Sequence, residues 1–478
     1  MSAEAHFRYE ELAKLITGLV DSGTLRAGER APSLRSISRQ RRIGLSTALQ
    51  AYRLLEDRGI LEARPQSGYY VARRDPVSLA RPAVSRPPGK AMSVAVPALV
   101  ARLLEHAADP TLVPLGCAIP SAELLAAGGL DRFLIRAARR GRLEHNTYSA
   151  PKGDLRLRQE IARRALRWGQ ALSPEDILIT CGCTEALTLA LRTVARPGDT
   201  IAVESPTYFG FLRSLEALEL KAFELPTDTA SGIDLDALDR ALAGNAIKAC
   251  LISSSFSNPL GFTMPDEKKL ALLELLARHD VPLVEDDIYG DIYFGEERSK
   301  PFMALDRRNR TLYCSSFSKT IAPGYRIGWI VTSRHMQQVL ERKIGLTLSG
   351  PVLLQIAFAD FLSSGGYDNH LRRLRRAFAD NIDQTLRVID RSFPRGTRVS
   401  RPAGGFVLWL ELPKPMNTRE LFEEAIAQGI CFAPGEVFSA SRRYANCLRL
   451  SCGHAWDRRI EDGLTKLGGL AKLAIGQG

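Results

Sequence analysis

Hydrophobic positions follow a helical period at the start of the chain and change to short apolar runs further on. Leu12, Leu15, Ile16 and Leu19 make one stripe and predict a first helix that ends near Gly23. Ser33, directly after Pro32, suits the cap of a short second helix through Ile37. After the turn Arg42-Ile43-Gly44, the residues Ala48, Ala51, Tyr52 and Leu55 recur at i, i+3, i+4 and i+7 and predict a third helix, closed by Gly59. Ile60–Arg64 and Tyr69–Val71 then flank Pro65-Gln66-Ser67-Gly68, whose residues suit a β-turn. Helix, turn, helix and ribbon is the order of a winged helix-turn-helix, here expected over residues 1–74.

The pattern then loses its period. Pro76, Pro82, Pro87, Pro88, Pro97, Pro110 and Pro114 interrupt it, and residues 75–114 are expected to form a partly extended linker with a short helix around Ala98–His106. A larger domain is expected over 115–478. In it, apolar runs at Ile177–Thr180, Ile201–Glu204, Ala249–Ser253, Pro282–Glu285 and Thr311–Ser315 alternate with helical segments. That alternation predicts an α/β domain with a largely parallel sheet and ligands at the carboxyl ends of its strands.

Composition narrows the class. The 478 residues exceed one typical domain, and 45% hydrophobic with 25% charged residues is ordinary globular composition, which excludes fibrous and wholly disordered chains. Met1–Glu11 is polar and no run approaches the eighteen apolar residues of a membrane span, so a cytoplasmic protein without membrane contact is expected. Eight cysteines occur without CxxC or Cys/His ligand spacing, which predicts buried thiols and no metal site. The net charge of +12 is unevenly placed: between Arg30 and Arg74 ten arginines stand against Glu56, Asp57 and Glu62. A segment of one sign is the electrostatic footprint of a polyanion-binding surface.

Chemistry-bearing residues cluster just past the expected strand ends. Ser315-Ser316-Phe317-Ser318-Lys319-Thr320 followed by Arg326 offers hydroxyls and a guanidinium for a phosphate and an amine for a carbonyl. Gly182-Cys183-Thr184 opens a helix, where free amides suit an anion. Tyr208 follows another strand and suits a planar ring, while Asn258 and Tyr289 suit a phenolate oxygen. Asp286 suits a protonated pyridine nitrogen. Taken singly, these runs also fit a basic loop, a small-residue turn, a packed tyrosine and a helix cap.

Together their order carries a resemblance. Tyr148, Gly182-Cys183-Thr184, Tyr208, Asn258-Pro259-x-Gly261, Asp286-x-x-Tyr289, Ser316-x-Ser318-Lys319, Arg326 and Arg449 are similar to the ordered site of fold-type-I aminotransferases that use pyridoxal 5′-phosphate. The resemblance implies that Lys319 is the Schiff-base lysine and that Asp286 partners the pyridine nitrogen. It further implies Asn258 and Tyr289 at the ring oxygen and Tyr208 stacked on the ring. Gly182, Cys183, Thr184, Ser316, Ser318 and Arg326 then surround the phosphate, and Tyr148 reaches the phosphate of a second copy in a homodimer. Arg449 takes the α-carboxylate of an amino acid. Lys319, Asp286 and Tyr289 are the implied reactive groups, and Cys183 stands where serine or alanine is more common.

The N-terminal segment resembles GntR-type bacterial regulators through Pro32-Ser33-x-Arg35, Ser46-Thr47, Ala51-Tyr52-x-x-Leu55, Gly59 and Gly68. The resemblance implies that Arg35, Ser46, Thr47 and Gly68 contact double-stranded operator DNA. Gly44-Leu45 departs from the Ser-Arg of many members, so a common arginine contact is missing. End to end the chain resembles the MocR group, a winged helix-turn-helix joined to a fold-type-I aminotransferase-like domain. That implies a transcriptional regulator responsive to pyridoxal phosphate, an amine or an amino acid. The alternative expectation is a metabolic aminotransferase with an appended DNA-binding domain.

Overall fold

The computed structural model describes residues 3–21, 24–26, 28–57, 60–64, 67–72, 79–96, 98–125, 127–140, 146–244 and 246–476. Expected features at Gly23, Gly59, Pro65, Gln66, Arg73, Arg74, Pro76 and Pro97 lie outside the described residues. The chain divides into two compact units, Met1–Ser78 and Leu79–Gly478.

The first unit holds α1 (Ala3–Asp21), α2 (Leu34–Arg41), α3 (Leu45–Asp57), β1 (Leu61–Arg64) and β2 (Gly68–Val71). Leu12, Ala13 and Ile16 of α1 are buried with Ile37, Ala48, Ala51, Tyr52 and Leu55, so the apolar stripes pack on one another. Ser33 caps α2 by accepting the Ser36 amide at 3.1 Å. The helix runs one turn beyond the expected end at Ile37, because Ser38–Arg41 tolerate helix and the chain turns only where Arg42 adopts φ 53°. Tyr52 donates its hydroxyl to the Pro32 carbonyl at 2.6 Å, which ties α3 to the entry of α2. Strands β1 and β2 pair antiparallel from Leu61↔Val71 to Arg64↔Gly68 and form the wing.

The second unit contains β3 (Ala91–Ser93), β4 (Val113–Pro114), β5 (Ile177–Cys181), β6 (Thr200–Ser205), β7 (Lys221–Asp228), β8 (Gly232–Ile233), β9 (Ile247–Ile252), β10 (Leu283–Asp286), β11 (Thr311–Ser316) and β12 (Ile327–Val331). Among the described residues all of these but β4 build a nine-stranded sheet in the order β3-β7-β6-β9-β10-β11-β12-β5, with β8 beside β7. Strands β7, β6, β9, β10 and β11 are mutually parallel. Strand β12 alone runs against them at its end of the sheet, and β5 is antiparallel to β12. The carboxyl ends at Cys181, Ser205, Asp286 and Ser316 therefore share one edge.

The expected linker needs correction. Its described part belongs to the second unit: β3 adds antiparallel to β7 at the sheet's edge, and Leu99, Val100 and Leu103 of the helix Leu99–His106 are buried in the core. The prolines limit the length of its elements without preventing their burial. A smaller sheet of Arg398–Val399, Val407–Glu411, Cys447–Ser451 and Ala433–Pro434 completes the unit and carries Arg449.

Candidate active site and nucleic-acid interface

The site grows from the strand ends. After β11, Phe317 is buried against Trp329, Phe358 and Tyr367, and its carbonyl accepts the Thr320 and Ile321 amides. This anchored turn presents Lys319, whose Nζ donates to the Ala118 carbonyl at 2.7 Å. Burial, then the Arg449 charge, lowers the Lys319 amine to about 8.

Asp286 ends β10. Burial raises its carboxyl to about 7, although it accepts the Ile288 amide at 3.1 Å and the Cys183 thiol at 3.6 Å. The Cys183 side chain is thus committed to Asp286, leaving its backbone for the helix-start role. Tyr289 is buried with its hydroxyl pushed up by desolvation, and Asn258 hydrogen-bonds to it. Asn258 Oδ1 is buried with no hydrogen-bond partner among the described residues. Tyr208 opens the helix Phe209–Ala217, and burial pushes its hydroxyl up to about 12.

Gly182 has φ +75°, and a Cβ there would collide with the Arg326 guanidinium. Arg326 donates from Nη2 to the Cys181 carbonyl at 3.2 Å, so arginine, glycine and the first turn of the helix Gly182–Val194 form one cradle. Ser316 and Ser318 are buried, and Ser316 Oγ accepts the Ser318 amide at 3.3 Å. Thr184 is exposed on the first turn of the cradle helix. Tyr148 is 83% exposed, outside the buried group around Lys319.

Arg449 is fully buried. Its Nη2 donates to the Gly116 carbonyl, its Cζ lies 5.4 Å from the Phe438 ring centroid, and its Nε and Nη1 have no hydrogen-bond partner among the described residues. Burial lowers its pKa, and among the described residues no carboxylate pairs with it to reverse that.

Several bracing residues escaped the sequence reading. Gly328 lies so close that a Cβ would meet the Cys183 amide at 2.8 Å. Glu185 accepts the Cys181 amide and the Thr347 hydroxyl, holding the cradle from behind. Lys343 is buried and donates to the Pro151 and Ile179 carbonyls, both at 2.6 Å, joining the Tyr148 loop to β5. Glu204 accepts the Ser253 amide at 2.9 Å and the Ser257 hydroxyl at 3.1 Å, fixing the approach to Asn258. Of these only Gly328 gave a local signal, as a glycine shortly after an arginine; buried lysines and glutamates have none.

In the first unit, Arg35 is exposed on α2 and Ser46 and Thr47 lie in the first turn of α3. Gly68 has φ +102°, and the Arg30 guanidinium lies where a Cβ would find it at 3.5 Å, which adds Arg30 to the basic face. Arg64 is paired with Glu62 at 2.6 Å and lies over the Tyr70 ring, so it serves the wing.

Fold and site together define a helix-turn-helix unit fused to an aminotransferase-like domain. Residues 8–71 match the gntR family of bacterial regulatory proteins and residues 132–465 match aminotransferase class I and II. The chain is 38% identical over 97% of its length to the uncharacterized HTH-type transcriptional regulator YdcR of Escherichia coli, covering 98% of that protein. It is 32% identical over 67% of its length to aromatic-amino-acid aminotransferase 1 of Thermococcus litoralis, covering 78% of it. The structure of LysN, an α-aminoadipate aminotransferase of Thermus thermophilus, superposes with a TM-score of 0.73 at 29% identity, over 79% of this chain and 95% of that one. The chain belongs to the MocR group of GntR-type regulators, in which the aminotransferase class I and II domain follows the helix-turn-helix.

Proposed function

We propose that this chain is a cytoplasmic, homodimeric transcriptional regulator that binds operator DNA through its first unit and pyridoxal 5′-phosphate and an amino acid through its second. The observation that carries the ligand response is Arg449: a fully buried guanidinium that, among the described residues, has two nitrogens unpartnered and no carboxylate in ion-pair reach. A carboxylate supplied from outside satisfies that arrangement. The residues also fit the cofactor. Asn258 Oδ1 lacks a partner among the described residues, and because Gly182 has no Cβ the Arg326 guanidinium packs directly against the helix start, where its charge and the first-turn amides suit a phosphate.

In this reading Lys319 holds the cofactor's aldehyde, Asp286 its pyridine nitrogen, and Asn258 and Tyr289 its ring oxygen. Tyr208 lies against the ring. Gly182, Cys183, Thr184, Ser316, Ser318 and Arg326 hold the phosphate, with Tyr148 reaching the phosphate in the second copy. When bound, the cofactor supplies an electron sink for bonds at the amino acid's α-carbon. Lys319, lowered to about 8, exchanges a proton near neutral pH, and Asp286 is kept beside the site by the Ile288 amide. The Gly116 and Ala118 carbonyls accept from Arg449 and Lys319 and orient both cations. LysN was crystallised with N-(5′-phosphopyridoxyl)-L-leucine, which supports an amino acid as ligand class.

A ligand biases DNA binding only through unequal affinity for two arrangements of the dimer. The test is DNA affinity measured with and without pyridoxal phosphate and a panel of amino acids, beside the cofactor's visible absorbance. Lys319→Ala is expected to remove the lysine-bound absorbance band, and binding to DNA is expected to fall steeply with salt. An unchanged spectrum in the variant rejects the cofactor assignment. Turnover of roughly one per second or faster with indifferent DNA binding rejects the regulator in favour of an enzyme.

A further inference from the structure

Leu45 is the first residue of α3 and is 51% exposed. Its neighbours on that turn are polar: Ser46 and Thr47 lie beside it on the first turn of α3. The buried cluster of the first unit draws on Ala48, Ala51, Tyr52 and Leu55 from α3, and Leu45 is absent from it and from the half-buried residues packed on it. Gly44 precedes it without a side chain, so nothing from that position stands in front of the leucine.

In a helix-turn-helix the N-terminal residues of the second helix lie in the major groove at the base edges. A lone exposed leucine is ordinary on a protein surface. At a base edge it has a consequence. Guanine presents two acceptors there, adenine an acceptor and a donor, and cytosine a donor, and a leucine pressed on any of them removes water and returns no hydrogen bond. Thymine alone presents an apolar group, its C5 methyl.

We propose that Leu45 is a specificity-determining residue that reads a thymine methyl in each half of the operator, where an arginine at this position would read guanine. The inference rests on the DNA-binding reading above and deepens it. It makes the interface mixed. The exposed arginines of the first unit supply the salt-dependent attraction, while Leu45 contributes discrimination independent of salt.

The test uses the full-length protein with pyridoxal phosphate, a binding site selected from random duplexes, and replacement of each thymine in turn by deoxyuridine, which deletes only the methyl. At one position per half-site the replacement is expected to weaken binding about fourfold, the value of one buried methyl group. Leu45→Ala is expected to lose that sensitivity with an unchanged salt slope, and Leu45→Arg to shift the preference at that position toward guanine. Deoxyuridine tolerated at every position, or a Leu45→Ala variant with the parent's preferences, overturns this inference and leaves DNA binding standing. Failure to bind any duplex overturns both.

Discussion

Two buried arginines in the second unit meet opposite surroundings. Arg298 lies behind the site with Asp287 on one side and Asp291 at 3.0 Å on the other, over the Trp168 ring. Burial pulls its pKa down, and the two carboxylates more than reverse this. Arg449 lies in the site, fully buried, with one backbone carbonyl and no paired acid among the described residues, and its pKa falls. Arg298 also leaves Nη1 without a hydrogen-bond partner among the described residues, yet its charge is met within the chain. The difference teaches where the chain completes its own electrostatics and where it waits for a ligand. An unmatched buried charge is a cost that folding alone does not recover.

The largest effect is expected where the charge is matched. Arg298→Met takes from Asp287 its paired guanidinium, leaving it the Tyr313 hydroxyl, and takes from Asp291 one of two arginines, the other being Arg164. Removing one partner of a buried pair costs about 3–5 kcal/mol, visible in urea or thermal unfolding of the cofactor-loaded protein. An unchanged midpoint would show that the cluster is not what holds this region together.

Arg449→Met is expected to act the other way. The fold keeps its stability, because a poorly compensated charge has been removed, while affinity for amino acids falls by about 2–5 kcal/mol in titration calorimetry. An amine without a carboxylate is expected to bind the variant and the parent alike. Equal losses for both ligand types would place the role of Arg449 in packing.

How much of this contrast was legible depends on the range of the interactions. Strands β5, β6, β9, β10 and β11 were visible because each is a short apolar run, and Lys319, Asp286 and Asn258 stood out as candidates because each follows one of these runs in the order of a fold-type-I site. Arg449 was visible as a residue type, but its isolation was not. That isolation arises from Gly116, more than three hundred residues earlier, whose carbonyl is its only hydrogen-bond acceptor among the described residues. The linker expected over 75–114 shows the same limit: its short helix forms as expected at Leu99–His106, but from Leu79 on the segment belongs to the second unit. Ala91–Ser93 finds its partner at Lys221–Phe223, and no local pattern announces a three-residue edge strand between prolines. Lys343 and Glu204 gave no signal because a charged side chain is buried only where the fold brings carbonyls and amides to it. In the first unit the contacts are local, and the helices and wing were correspondingly readable.

The smallest effect ties the two charges of the site together. Lys319 is lowered to about 8 chiefly by burial and next by Arg449, whose positive charge disfavours a second one nearby. A neutral amine is the form that attacks an aldehyde, so cofactor uptake is expected to rise as pH increases through about 8. Removing the guanidinium in Arg449→Met lifts that repulsion and raises the Lys319 pKa, which moves the midpoint of uptake to higher pH. Burial remains, so the amine stays below its ordinary value and the displacement is partial. Visible absorbance followed against pH in parent and variant measures it directly. A midpoint that moves to lower pH, or not at all, would mean that a neighbour other than Arg449 sets the amine, and the unmatched arginine would then serve the ligand's carboxylate alone.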